Sequence, residues 1–249
     1  MLFFFVGPRT RSSRTPRPLF GGSGSFVDDY YTGDIFSAFE EADQYENALL
    51  MFYSPWDADC TRAKEILEAV AKSFVDNDIY FAAVNCWEPK GQCNTEFNTS
   101  GGKPSKNPRL SQHQYPIFIF YPKDRRGIQY NGPISVQVII FLKACYAFNL
   151  CIFQAMLDFL LVARKPLVHL GSRADLLNLR ANHGGRVLVG YFPDLFASLK
   201  SRKVWRKFLD ASYTFLEQDP FQNSIGGMGV VTSQNVALTL QLDASRPIR

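Results

Sequence analysis

Thiol chemistry is the reaction type that this sequence of 249 residues most directly suggests, through cysteines at positions 60, 86, 93, 145 and 151. Because an odd number of cysteines cannot all pair within one chain, at least one is free or bonded to another molecule. Two carboxylates, Asp57 and Asp59, closely precede Cys60, and negative charges disfavour a nearby thiolate. We therefore expect Cys60 to be a poor nucleophile and an inert core thiol.

The elements that must position Cys60 are a short strand and the helix that follows it. Residues 48–53 (ALLMFY) form an apolar run too short for a helix, which indicates a buried strand. Ser54 and Pro55 end this strand. Beyond them, apolar residues recur on one face of a predicted helix at Cys60, Ala63, Ile66, Leu67, Val70, Ala71 and Phe74. The sequence therefore places Cys60 in the first turn of a helix that begins near Asp57.

A strand, a Pro-Trp pair and a helix opened by a four-residue motif resemble the active site of the thioredoxin superfamily. In that superfamily the motif is Cys-x-x-Cys, and here residues 56–60 read Trp56, Asp57, Ala58, Asp59 and Cys60. The resemblance implies that Asp57 replaces the exposed cysteine and that Cys60 is the shielded inner one. We expect no dithiol oxidoreductase activity, while a monothiol enzyme that uses Cys60 stays the alternative.

The next elements continue the same plan. Residues 79–84 predict a second core strand, and a helix between neighbouring strands implies that they are parallel. Residues 117–121 (IFIFY) predict a third strand, which follows Tyr115 and Pro116, and a closing helix begins near Gly132 and Pro133. The resemblance to the thioredoxin superfamily implies that Pro116 is a cis-proline that faces the motif. It also implies that Trp56, Tyr115 and Pro116 form a peptide-binding groove.

The polar stretch 85–114 is predicted to be a surface loop. A small-loop disulfide between Cys86 and Cys93 is sterically feasible there, and two unrelated thiols are the alternative. A metal site made of these cysteines and His113 would lack a fourth ligand, so we expect no metal and no cofactor. Asn98 opens a single Asn-Thr-Ser glycosylation sequon.

The second half of the chain repeats the theme without a cysteine motif. Strands are predicted at 166–170, 186–192 and 229–232, with helices at 172–183, 196–217 and from Ser233 to about 242. The basic run 200–207 is predicted to be a solvated helix face. The fold class is therefore α/β, with two tandem thioredoxin-like domains, the second of them incomplete. The predicted boundaries are a disordered basic tail at 1–25, the first domain at 26–146, an apolar linker or insertion at 147–165 and the second domain at 166–249.

Several motifs resemble the protein-disulfide-isomerase branch of the thioredoxin superfamily, and more narrowly one endoplasmic-reticulum membrane member of that branch. They are residues 51–56 (MFYSPW), 84–87 (VNCW), 90–93 (KGQC), 130–135 (YNGPIS) and 189–192 (VGYF). The resemblance implies that Cys86 and Cys93 form a structural disulfide. It also implies a role in the folding or quality control of secretory proteins. Clients would include dual-oxidase-type NADPH oxidases and glycoproteins.

The resemblance also implies a membrane anchor, but the uncharged stretch 144–157 is shorter than the ~20 residues a span needs, which favours a buried or interfacial helix over a membrane span. A net charge of +4 favours no nucleic-acid partner. We expect a redox-degenerate protein that binds clients. The alternatives are a monothiol oxidoreductase and a fragment without independent function.

Overall fold

Two β-sheets, each with helices packed on its faces, make up the chain. The computed structural model describes residues 15–22, 24–75, 79–97, 115–123, 125–134, 148–193, 198–219 and 227–242.

The first sheet belongs to a thioredoxin-like unit. Its elements are β1 (Asp28–Tyr30), α1 (Ile35–Ala42), β2 (Asn47–Tyr53), α2 (Ala58–Ser73), β3 (Ile79–Asn85), α3 (Gln92–Phe97), β4 (Ile117–Pro122), β5 (Ile128–Gln129) and α4 (Phe148–Arg164). The strand order is β1-β3-β2-β4-β5. Strands β1, β3 and β2 are parallel, whereas β4 and β5 are antiparallel to their neighbours. This mixed sheet confirms the predicted α/β fold class.

The second sheet repeats the first half of that plan. Its elements are β6 (Val168–His169), α5 (Arg173–Asn182), β7 (Val187–Tyr191), α6 (Leu199–Gln218), β8 (Gly227–Val231) and α7 (Gln234–Thr239). All three strands are parallel, in the order β6-β8-β7. Since β1-β3-β2 has the same order and direction, each unit contains the same βαβαβ core.

Strands β2 and β3 are almost wholly apolar, apart from Asn47 and Asn85 at their ends, because helices cover both faces of the first sheet. Successive side chains of a strand point to opposite faces. Leu49, Met51 and Phe81 therefore pack beneath α2 and α4, while Leu50 and Ala82 pack beneath α1 and α3. The core of the first unit thus has two apolar layers, one on each side of the sheet.

Helix α4 lies within 147–165, the segment predicted to be a linker or insertion between the domains. The structure differs, because α4 buries Ile152, Met156 and Phe159 in the core of the first unit. The Phe159 ring contacts that of Tyr130 edge to face, at 5.0 Å between centroids. Across the described residues, no helix has both the length and the apolar character to cross a membrane.

Two other predicted segments also differ from the structure. Phe20, inside the predicted disordered tail 1–25, is buried in the first core, and its backbone N–H donates to Asp29 at 2.8 Å. The predicted surface loop 85–114 contains the short helix α3, and its cysteines Cys86 and Cys93 are buried. Asn98, His113 and Cys145 lie outside the described residues, as does the part of the predicted closing helix beyond residue 134.

Helix α6 connects the two units because its side chains enter both cores. Phe208 packs against the second sheet beside Phe192 and Val230. From another side of the same helix, Tyr213 and Leu216 are buried in the core of the first unit. Helix α6 is therefore shared between the two units.

Polar contacts reinforce this junction along the turn between β4 and β5. Arg125 forms an ion pair with Asp210 at 2.9 Å, and Arg126 lies 3.6 Å from a carboxylate oxygen of Glu217. The other carboxylate oxygen of Glu217 accepts the backbone N–H of Gln129 at 3.1 Å. The two acidic residues of α6 thus anchor the helix to the first unit.

Two glycines allow the loop after β3 to approach the turn after β1 closely. Gly33 has a left-handed backbone with φ of +81°, and its carbonyl accepts the N–H of Cys93 at 2.9 Å. A Cβ atom on Gly91 would lie 2.8 Å from the carbonyl oxygen of Thr32 and 2.9 Å from the Cα of Gly33. No side chain fits between these two backbone segments.

We predict that Gly91→Ala lowers the free energy of unfolding by roughly 1–3 kcal/mol, because the two backbone segments must separate. Guanidinium denaturation followed by circular dichroism measures this change. Gly22→Ala is the matched control, because its Cβ would meet no atom within 4 Å. Equal stabilities for the two variants would contradict the close approach.

Candidate functional site

The residues of the degenerate motif lie where β2 ends and α2 begins. Asp57 is the N-cap residue of α2, with an extended backbone, and its Oδ1 accepts the N–H groups of Asp59 at 2.7 Å and Cys60 at 3.1 Å. Aspartate is among the preferred N-cap residues because its carboxylate satisfies amides that have no partner within the helix. The residue that replaces the first cysteine therefore has a structural role. It also occupies the helix donors that could otherwise stabilise a thiolate.

Cys60 is a fully buried thiol beneath this turn. Its Sγ accepts the backbone N–H of Ser54 at 3.4 Å. Burial raises the pKa of the Cys60 thiol to about 12, with a further increase from the negative charge of Asp57 and a smaller one from Asp59. Since the thiolate is the nucleophile, on the order of one molecule in 10⁵ is reactive at neutral pH.

A half-buried polar pair that the sequence does not predict lies beside the motif strand. The hydroxyl of Tyr53, the last residue of β2, donates to Asp29 at 2.7 Å. Burial raises the pKa of the Asp29 carboxyl, and the backbone N–H of Phe20 and the Tyr53 hydroxyl partly oppose that rise. Asp29 was missed because β1 has only three residues and two of them are aspartates. The local sequence therefore gives no strand signal.

The other predicted groove residues lie at the same end of the sheet. The Tyr115–Pro116 peptide bond is cis, and Pro116 is buried immediately before β4. Ile117 pairs with Phe52, so the antiparallel register places Pro116 and Tyr115 beside the residues that end β2. Trp56 leaves 56% of its surface exposed at this end.

A disulfide joins Cys86, which follows β3, to Cys93 in α3, with 4.9 Å between the Cα atoms. Asn85 stabilises the start of this loop from a buried position. Its amide donates to the carbonyl of Tyr31 at 2.9 Å, and its Oδ1 accepts the N–H of Trp87 at 2.9 Å. Trp87 is 48% exposed. The Asn-Cys-Trp motif therefore fixes a second exposed indole beyond the strand next to β2.

Cys60 is the free thiol among the described residues, and Cys151 in α4 is disulfide-bonded. The motif at residues 57–60 therefore has one thiol, that of Cys60, because Asp57 stands at the position of the other cysteine.

The second unit also has a capping residue at the corresponding position. Helix α6 follows β7 as α2 follows β2, and its N-cap Ser198 accepts the N–H of Ser201 at 3.1 Å. The sequence from 187 to 218 contains no cysteine. Neither unit therefore carries a dithiol at the start of its second helix.

The fold and the site together define a thioredoxin-like protein whose motif lacks the dithiol. The chain is homologous to thioredoxin domain-containing protein 11, which confirms the narrower resemblance noted from the sequence. It is 25% identical over 229 residues to the protein from Bos taurus, covering 91% of this chain and 20% of that relative. The identity to the Homo sapiens protein is 28% over 149 residues, or 59% of this chain and 12% of the relative. The chain thus spans at most about a fifth of the length of these relatives.

Solved structures that the chain matches include human ERp44 form II and the first two thioredoxin domains of Saccharomyces cerevisiae Eps1p. The ERp44 structure has a TM-score of 0.48 and 15% identity, covering 88% of this chain and 48% of that one. The Eps1p structure has a TM-score of 0.36 and 16% identity, covering 84% and 77% respectively. No protein-family profile matches the chain.

We predict that Asp57→Ala destabilises the protein by about 1 kcal/mol, because two helix amides lose their acceptor. Asp57→Ser is the matched control, since a serine hydroxyl also caps helices. Thermal unfolding monitored by circular dichroism compares the two variants. If the alanine variant were as stable as the serine variant, the cap would make no measurable contribution.

We also predict that at pH 8 iodoacetamide modifies Cys60 roughly three orders of magnitude more slowly in the native protein than in the chain unfolded by guanidinium. The reason is the difference between a pKa of about 12 in the fold and about 8.5 in the unfolded chain. The native rate should rise about tenfold per pH unit up to about pH 11. Quantification of the Cys60 peptide by mass spectrometry measures both rates, and a plateau below pH 9 would contradict the raised pKa.

Proposed function

We propose that this protein is a redox-degenerate thioredoxin-like protein that binds client or partner polypeptides in the endoplasmic reticulum. By binding them it would support the folding and quality control of secretory proteins. The observation that carries this proposal is Asp57, which caps α2 where a thioredoxin has its reactive cysteine. The peptide-facing end of the fold is retained while its redox chemistry is lost.

The exposed aromatic residues support a binding role. Trp56 and Trp87 follow β2 and β3, which are parallel neighbours, so both indoles lie at the same end of the sheet. Tyr115, half-buried before β4, lies at that end too. Burying exposed indoles against an unfolded chain is favourable, because each large ring removes much apolar surface from water.

The buried disulfide supports the proposed compartment. A bond between Cys86 and Cys93 forms and persists where the surroundings are oxidising, as in the lumen of the endoplasmic reticulum. Dual-oxidase-type NADPH oxidases and glycoproteins are the clients that the resemblance suggests. A membrane anchor and glycosylation at Asn98 belong to the same proposal.

The geometry opposes the alternative of a monothiol oxidoreductase. Such an enzyme needs an accessible thiolate, whereas Cys60 is buried and protonated. Client binding by this protein is therefore expected to be non-covalent.

We predict that Trp56→Ala and Trp87→Ala each weaken the binding of a fluorescein-labelled, reduced and alkylated secretory polypeptide by about tenfold, since buried aromatic anchors dominate interfaces. Fluorescence anisotropy with the full chain measures the dissociation constants. Leu238→Ala, which removes an exposed apolar side chain from α7 in the second unit, is the control and should have no effect.

Cys60→Ser separates the two mechanisms when the labelled polypeptide retains its own disulfides, because thiol–disulfide exchange with Cys60 needs a disulfide in the client. Unchanged binding of the labelled polypeptide supports non-covalent holding. Loss of binding in Cys60→Ser, or equal binding by both tryptophan variants and the wild type, would refute the proposed surface.

A further inference from the structure

The first half of α6 carries a strongly basic surface. Five exposed cations form it: Lys200, Arg202, Lys203, Arg206 and Lys207. At 100° per residue they fall within an arc of about 160° around the helix, and they extend over about 10 Å along its axis. This basic surface is distinct from the motif end of the first unit.

No carboxylate compensates these charges in the part of the chain that the structure describes. The acidic residues of α6 are Asp210 and Glu217, and both are paired with arginines of the turn between β4 and β5. Asp210, four residues after Arg206, lies 2.9 Å from Arg125. The described ion pairs include none of the five cations.

Helix stability does not account for this distribution of charge. The N-terminal end of a helix is the positive end of its dipole, where cations are unfavourable and carboxylates are favourable. The first turn of α6 contains no acidic residue and its last turn contains no basic one. The charge pattern of α6 is therefore the reverse of the one that would stabilise an isolated helix.

The opposite side of the helix holds the basic surface in place. Trp205 packs edge to face on Phe192 at 5.2 Å between ring centroids, and Phe208 is buried against the second sheet. Because these contacts anchor the apolar side, the five cations are presented together to solvent. A partner would meet a pre-formed row of charges.

We infer that the basic surface of α6 is a docking site for an acidic polypeptide segment. Charge complementarity supports this partner, because α6 already uses its two carboxylates to bind arginines and leaves its cations for a partner of opposite charge. A nucleic acid is less suited, since Trp205, the aromatic residue among these cations, is half-buried and packs on Phe192, which leaves less of its ring for base stacking. A membrane surface is also less suited, because Leu199 is the only large exposed apolar side chain of α6.

The test measures binding of a fluorescein-labelled peptide of alternating aspartate and glutamate to the full chain by fluorescence anisotropy. We expect measurable affinity at low ionic strength that falls as salt is added. The double variant Lys203→Glu with Lys207→Glu should raise the dissociation constant by about tenfold or more. Its unfolding midpoint should stay close to that of the wild type, because both side chains are exposed and neither takes part in a described ion pair.

A second double variant, Lys72→Glu with Lys90→Glu, is the matched control. It makes the same change in net charge at two exposed lysines of the first unit. Retained peptide binding in this control, with loss in the α6 variant, supports the proposal. Equal loss in both variants, no binding of the peptide, or binding of single-stranded RNA or anionic lipid vesicles in place of the peptide would overturn it.

Discussion

The packing of α6 between two apolar cores is the constraint on which the arrangement of the chain depends. A helix that buries Phe208 in one core and Leu216 in the other cannot move relative to either sheet without exposing apolar surface. The ion pair between Arg125 and Asp210 favours one orientation of the helix on the first unit, although exposed ion pairs contribute little energy. Buried apolar side chains of α6 therefore hold the two sheets together, and the ion pair helps to orient them.

Much of the fold could be predicted because its central strands are continuous apolar runs and its helices have regular apolar spacing. Strands β2 and β3 and helix α2 are within one residue of the predicted bounds. Strand β1 and helix α3 were not predicted, and helix α4 was assigned to a linker or insertion between the domains. Strand β1 is short and polar, so it is stabilised by its pairing with β3 and not by its own sequence. Helix α4 is apolar on most sides, so its sequence does not indicate which core it enters.

Some features of the site depend on residues close in sequence, and others depend on residues that are distant in sequence. The cap formed by Asp57 and the weak reactivity of Cys60 depend on neighbours within one helical turn, so residue types indicate them. The role of Asn85 depends on Tyr31, which is distant in sequence and meets it only when β1 lies beside β3. Sequence alone therefore identified the Asn-Cys-Trp motif without explaining why its asparagine is buried.

The contact between Glu217 and the backbone of Gln129 has a further consequence for solubility. Strand β5 is the last strand of its sheet, and an open strand edge can recruit strands from other molecules. The Glu217 carboxylate accepts the backbone N–H of Gln129 at this edge. The other outer strand, β1, carries Asp28 and Asp29. Both edges of the first sheet are therefore less open to pairing with strands of other molecules. Such protection matters for a protein proposed to meet unfolded chains, because the side chains of its clients can be bound without their backbones joining the sheet.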